Sequence, residues 1–298
     1  MPQVTADQAR DVFRRHAAQL GRADAAAVRR LLAVYEAAAR DILGRTVMAG
    51  SGITTFTAQH YSVVLGQLQA GIAELWQRLG GAMTESERAA VELAQKHIAE
   101  SVATLSGHFE GTVRPFSVRP IFEILQEPEL FITRDAAARG ITGRLLERAR
   151  TELAVSMATR EPFFGGQTST VSRIQHALGV GRYEAERAAR TEHARAYNAA
   201  HHGELVEANA QGGDYRKTIV AVHDSRTDED TVGLERWLAD RGGSIRLDEL
   251  FRDGDGRQYL HPPGRPNDRC VEVPWRADWG GMDDVNAITG GPRGLLSA

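Results

Sequence analysis

The sequence predicts an α+β protein in which a long, mostly helical N-terminal region precedes a small α+β module. Three observations carry this. Apolar residues recur on a 3.6-residue period through most of the first 110 positions. The runs suited to strands, Lys217 to His223 and Cys270 to Val273, fall late in the chain. Clusters of glycine and proline separate the two regimes.

Taken in order, residues 1–110 read as a helical bundle. With Asp24 as N-cap, Val28, Leu31, Leu32, Tyr35, Ala39, Ile42 and Leu43 line one helical face. Leu65, Leu68, Ile72, Leu75, Trp76 and Leu79 line a second, which Gly80-Gly81 are expected to end in a left-handed C-cap. Thr84 and Glu87 have capping-box spacing and open a third helix through Val91, Ala94, Ile98, Val102 and Leu105, closing before Gly107. Residues 111–164 form a linker and helical connector, broken by Pro115 and Pro120 and ended by Pro162.

Residues 165–275 form the module. Thr168 to Leu178 reads as a helix, Gly179 and Gly181 flank a turn, and a long alanine-rich helix from Tyr183 to about Gln211 closes at Gly212-Gly213. Then come the strand at Lys217, a short helix over Glu235 to Asp240, a turn at Asp253-Gly-Asp-Gly256, and the strand at Cys270. Residues 276–298 are glycine-rich without a periodic apolar face and read as an extended tail.

Composition bounds the function. With 42% hydrophobic and 25% charged residues over 298 positions, the chain suits a globular protein with real cores. A net charge of −3 and a pI near 6.4 announce no nucleic-acid binder, so any DNA contact must be local. The single cysteine, Cys270, excludes an intrachain disulfide and a multi-cysteine zinc site. The N-terminal stretch has no apolar core of signal-peptide length and no later segment is apolar enough for a bilayer, so a cytoplasmic site of synthesis and no membrane partner are expected.

Four constellations invite chemistry. Thr170 to Arg190 has the outline of a helix-turn-helix, but Glu184, Glu186 and Glu192 dilute the basic face, and a plain helical corner competes. His193, His201 and His202 share a helix without the i, i+4 spacing or acidic partner of a zinc site, and read as surface or packing residues. Asp224, Asp228, Asp230, Asp248, Asp253 and Asp255 lack calcium-loop spacing and suit turns and solvated loops. Cys270, at the start of a strand, reads as a small buried side chain before it reads as a nucleophile. No metal or cofactor is expected.

Three landmarks appear in sequence order. Ala189-Arg190-Thr191-Glu192 lies on a helix, followed by Asn198. Lys217 leads a strand into Asp224-Ser225-Arg226-Thr227. Last comes the rigid loop Pro262-Pro263-Gly264-Arg265-Pro266-Asn267-Asp268-Arg269-Cys270. In this order the landmarks, over residues 165 to 275, resemble the C-terminal domain of the phage Mu F-like head morphogenesis proteins, minor head proteins encoded beside the portal. Arg265 stands where that family often has histidine, Asp268 where it often has cysteine, and a histidine common after the Asp-x-Arg-Thr stretch is missing.

The resemblance implies a structural protein of the virion, located in the capsid interior or at the portal vertex and in the host cytoplasm during assembly. Its implied partners are the portal protein, a major capsid or scaffolding protein, and double-stranded DNA; its implied role is assembly, packaging or ejection, not catalysis. On this reading Arg190, Thr191, Glu192, Asn198, Asp224, Arg226, Pro262, Pro263, Pro266, Asn267, Arg269 and Cys270 are structural, and Glu192 is expected to pair with Arg226 or Arg269 in a two-pronged bond. An alternative is a metal-dependent nuclease or hydrolase with Asp224, Asp230, His223 and His261 converging on one point. A non-specific DNA-binding accessory protein is a third.

Overall fold

Helices come first and a small sheet last, as the periodicity predicts, but among the described residues the helices are fewer and far longer. The computed structural model describes residues 6–105, 120–126, 128–165, 168–221, 229–264, 268 and 270–276. Its helices are α1 (Ala6–Ala49), α2 (Ala58–Leu105), α3 (Ile121–Leu125), α4 (Pro128–Thr159), α5 (Thr170–Ala210) and α6 (Glu229–Ala239). Its strands are β1 (Arg216–Val220), β2 (Phe251–Arg252), β3 (Gln258–Tyr259) and β4 (Val271–Trp275). No helix among the described residues is long and apolar enough to cross a membrane.

Three expected interruptions are absent. Asp24 lies inside α1 rather than capping it, and α2 runs straight through Gly80-Gly81. The Thr84 hydroxyl does not cap a new helix; it donates to the Gly80 carbonyl one turn back, at 2.9 Å. Likewise α5 continues through Gly179 and Gly181, which removes the turn of the helix-turn-helix outline. Glycine permits a left-handed end without demanding one. Mid-helix it costs about 1 kcal/mol, a penalty small beside the burial of Leu75, Leu79, Met83 and Val91 along α2. Gly181 has a packing role: the Tyr35 hydroxyl donates to the Leu178 carbonyl at 2.6 Å, and a Cβ on residue 181 would lie 2.2 Å from that hydroxyl oxygen.

The glycine pair after α5 does end its helix. Gly212 has φ of 97°, and the amide of Gly213 donates to the Ala208 carbonyl at 2.9 Å. Asn209 then fixes the exit: its side chain donates to the Tyr215 carbonyl at 2.8 Å and accepts the Tyr215 amide at 2.7 Å, delivering the chain into β1.

The described residues fall into two compact units, one from the ranges 1–25, 87–127 and 191–298, the other from 26–86 and 128–190. The sequential boundaries near 110 and 165 therefore do not coincide with the edges of either unit, and α1, α2 and α5 each contribute a portion to both. The second unit is all helical around Tyr35, Ile42, Leu68, Leu75, Leu145, Leu153 and Ile174. Its connection from α4 to α5 is tied by Arg173, whose guanidinium donates to both oxygens of Glu161 at 2.7 Å and to Glu152 at 3.0 Å.

The first unit carries the sheet. β1 and β4 pair antiparallel, with Ile219 opposite Glu272 and Lys217 opposite Pro274. On the other edge of β1 the Lys217 backbone exchanges both hydrogen bonds with Ile245. The hairpin of β2 and β3 turns at Asp253-Gly-Asp-Gly256, as the sequence predicts, with the Arg257 amide on Asp253 Oδ1 at 2.9 Å. Ile219, Ala221, Leu234, Leu238, Ile245, Phe251 and Cys270 form the core.

Candidate functional site

From Thr191 to Ala200 nearly every position of α5 is buried, which suits a helix built from alanine and lets other elements approach closely. At its centre is Asn198, fully buried. Its amide nitrogen donates to the Ala194 carbonyl at 3.0 Å and the Cys270 carbonyl at 3.4 Å, and its oxygen accepts the Glu272 amide at 2.8 Å. The side chain thus satisfies backbone groups on the edge of β4 that a third strand would otherwise take.

The loop before β4 is held from within. Asp268 accepts the Cys270 amide on Oδ1 and the Gly264 amide on Oδ2, both at 2.9 Å, which closes the proline segment on itself. Pro262 and Pro263 are buried and joined by a cis bond, and Gly264 packs where a Cβ would lie 2.3 Å from the Tyr259 ring.

Glu272 places a fully buried carboxylate beside α5. His202 donates from Nδ1 to Glu272 Oε1 at 3.0 Å, and His201 Nδ1 stands 4.0 Å from the same oxygen. Burial pushes this carboxyl up, but the two imidazoles more than offset that and hold it below the usual carboxylate range. Glu272 Oε2 and His201 Nδ1 have no hydrogen-bond partner among the described residues. His261 lies 6.0 Å from His202, ring to ring, and its Nδ1 donates to the Pro262 carbonyl at 3.0 Å.

Lys217, on β1, is fully buried and shares a face of the sheet with Glu272. Its ammonium donates to the carbonyls of Leu247 at 2.8 Å and Leu260 at 2.6 Å and sits 4.9 Å from the centre of the Phe251 ring. Burial lowers its pKa to about 8, opposed by the charges of Glu272 and Asp248. The Leu260 bond fixes the residue that leads into His261 and the proline loop.

The junction therefore gathers Asn198, Lys217 and Cys270, one from each sequence landmark. Thr191 and Glu192 are buried on α5, and Glu192 Oε1 pairs with Arg195, one turn along the same helix. The partners expected for it, Arg226 and Arg269, lie outside the described residues, as do His223, Asp224, Pro266 and Asn267. Arg190 is half-buried and bonds Glu186 at 2.6 Å. Of the nominal nuclease set, Asp230 opens α6 and His261 joins the junction, and among the described residues no group of three or more His, Cys, Asp or Glu is arranged to hold a metal.

The pairing of His202 with Glu272 and the closing role of Asp268 escape the sequence reading, which takes His202 as a surface or packing residue without an acidic partner. The available signal was a lone charge within the apolar run Val271-Glu272-Val273-Pro274-Trp275, whose five residues are all buried. A charge there demands a partner, but 70 positions separate Glu272 from His202. Chemically, the junction spends its hydrogen-bonding groups on its own backbone and locks α5 to β4.

Comparison with protein-family models, with curated proteins and with solved structures yields no match to this chain.

Proposed function

We propose that this chain is a structural minor head protein of a tailed phage or prophage, which associates with the portal and procapsid during head assembly. The observation that carries the reading is the convergence of the three landmarks. Asn198 bonds the Cys270 carbonyl directly, and Lys217 holds the entry to the proline loop through Leu260. Residues far apart in sequence are used together, and for the same end: to fix one shape. A module cross-linked through buried polar bonds is suited to presenting a rigid surface to an assembly partner.

On this reading the partner is the portal protein, with major capsid or scaffolding protein and double-stranded DNA as further contacts during packaging or ejection, and the protein resides in the capsid interior or at the portal vertex. The test is co-expression with the portal protein of its own phage. Co-elution with portal rings and incorporation into procapsids are expected. Portal rings and procapsids that form normally and never retain the chain would overturn the proposal.

A further inference from the structure

The first unit contains a second polar cluster, away from the proline loop. His16 on α1 and His97 on α2 stack face to face, with ring centroids 3.9 Å apart and planes 6° from parallel, and both are buried. His97 is fully engaged as a neutral ring: Nε2 donates to Gln19 Oε1 at 2.8 Å, and Nδ1 accepts the Tyr197 hydroxyl at 2.7 Å. A second proton on Nδ1 would take from the buried Tyr197 hydroxyl the acceptor of its hydrogen. A proton on each ring would set two cations face to face at van der Waals distance.

The charged and titratable groups facing the pair come from all the packed helices. Arg15 lies on α1; Glu100, whose Oε2 is 3.3 Å from His16 Nε2, and Lys96 lie on α2; Tyr197 and His201 lie on α5, and across His201 stands Glu272 of β4. Glu100 favours a charged His16, but burial outweighs it and holds His16 at about 4, and burial with the neighbouring His16, His201 and Lys96 holds His97 at about 3.

We propose that the stacked His16–His97 pair is an acid-sensitive latch, which on protonation frees the part of α1 around residues 11–20 from α2 and α5 while α5 stays locked to β4. The second half follows from the opposite character of the other contact: His201 and His202 face a carboxylate of β4 where His16 and His97 face each other, and Glu272 remains a carboxylate in mild acid. His193 likewise faces a carboxylate, Asp24 at 3.5 Å, and this contact confines the opening to positions before residue 24.

In the closed state the two rings are neutral, and in the open state they titrate near 6.5. The closed state thus loses stability as pH falls below 6.5 and is indifferent to pH above it. From pH 7 to 5 the opening constant rises about twentyfold for each ring, and on the order of several hundredfold for both. Hydrogen exchange by mass spectrometry on the full chain, corrected for intrinsic rate, measures this directly. Residues 11–20 are expected to lose protection at pH 5 while β4 keeps its own. His16→Phe retains a stacked ring that takes no proton and is expected to remove about twentyfold of the response. Equal loss in α1 and β4, no loss in α1, or an unchanged response in His16→Phe would refute the latch. Imidazole NMR on the wild-type chain decides independently of any variant: titration of His16 below pH 5 supports the latch, and titration near 6.5 overturns it.

Discussion

Asn198→Leu removes the side chain that joins α5 to β4 while keeping its size. The structure sets the loss. The Glu272 amide, buried and bonded to Asn198 at 2.8 Å, is left without a partner, which costs about 1 to 3 kcal/mol. The Cys270 carbonyl loses its bond, about 1 kcal/mol more. A total near 3 kcal/mol lowers a urea midpoint by roughly 1 to 2 M. Tryptophan fluorescence is the assay, since Trp275 is buried at the end of β4 and reports this junction. Asn198→Asp sharpens the test. It keeps the acceptor for Glu272 but points a carboxylate oxygen at two carbonyls. That raises the folded-state pKa of the new carboxyl above its unfolded value near 4, so its deficit relative to wild type grows as pH rises through the folded value and shrinks in acid. A wild-type midpoint for Asn198→Leu, or an Asn198→Asp deficit that does not depend on pH, would show that the side chain does not bridge helix and strand.

Four further substitutions follow from the local packing. Gly80→Ala and Gly179→Ala meet open space inside continuous helices and are expected to stabilise by about 0.5 to 1 kcal/mol each. Gly181→Ala drives a methyl group onto the Tyr35 hydroxyl and is expected to destabilise by about 1 to 3 kcal/mol. Thermal unfolding separates these signs, and destabilisation by all three would restore the turns at these glycines. Lys217→Met orphans the Leu247 and Leu260 carbonyls and is expected to cost about 2 to 4 kcal/mol at neutral pH. Because the folded-state pKa of Lys217 is depressed to about 8, the unfolded chain binds the extra proton between there and its ordinary value. Wild-type stability therefore rises relative to Lys217→Met from pH 8 to 10.5, and urea midpoints that fall across this window instead would contradict the buried amine.

Much of the fold was legible because helical periodicity and β-branched runs are local signals. Leu68, Ile72, Leu75 and Leu79 announce a buried helix face wherever they occur. The glycines misled for a definite reason. Gly80-Gly81 and Gly212-Gly213 both follow a helical stripe in sequence, yet only the second pair has beside it a side chain, Asn209, three residues before Gly212, that captures the departing strand. At Gly181 the deciding partner, Tyr35, is 146 positions away in the sequence.

The candidate site divides in the same way. Asn198, Lys217 and Cys270 stood out in sequence as members of ordered landmarks, and the rigidity of the proline loop follows from proline itself. Glu272 and His202 could not be paired by reading along the chain, because a buried carboxylate is tolerable only where tertiary packing brings it a donor. His16 and His97 gave no signal, since each alone is an ordinary histidine on a helix, and burial together with their stacking makes protonation costly. The sequence by itself determined the class, the order of elements and the three landmarks, all products of local chemistry. Tertiary structure alone decided where the helices end, which landmarks meet, and which buried groups resist charge, because these depend on burial and on partners distant in the chain.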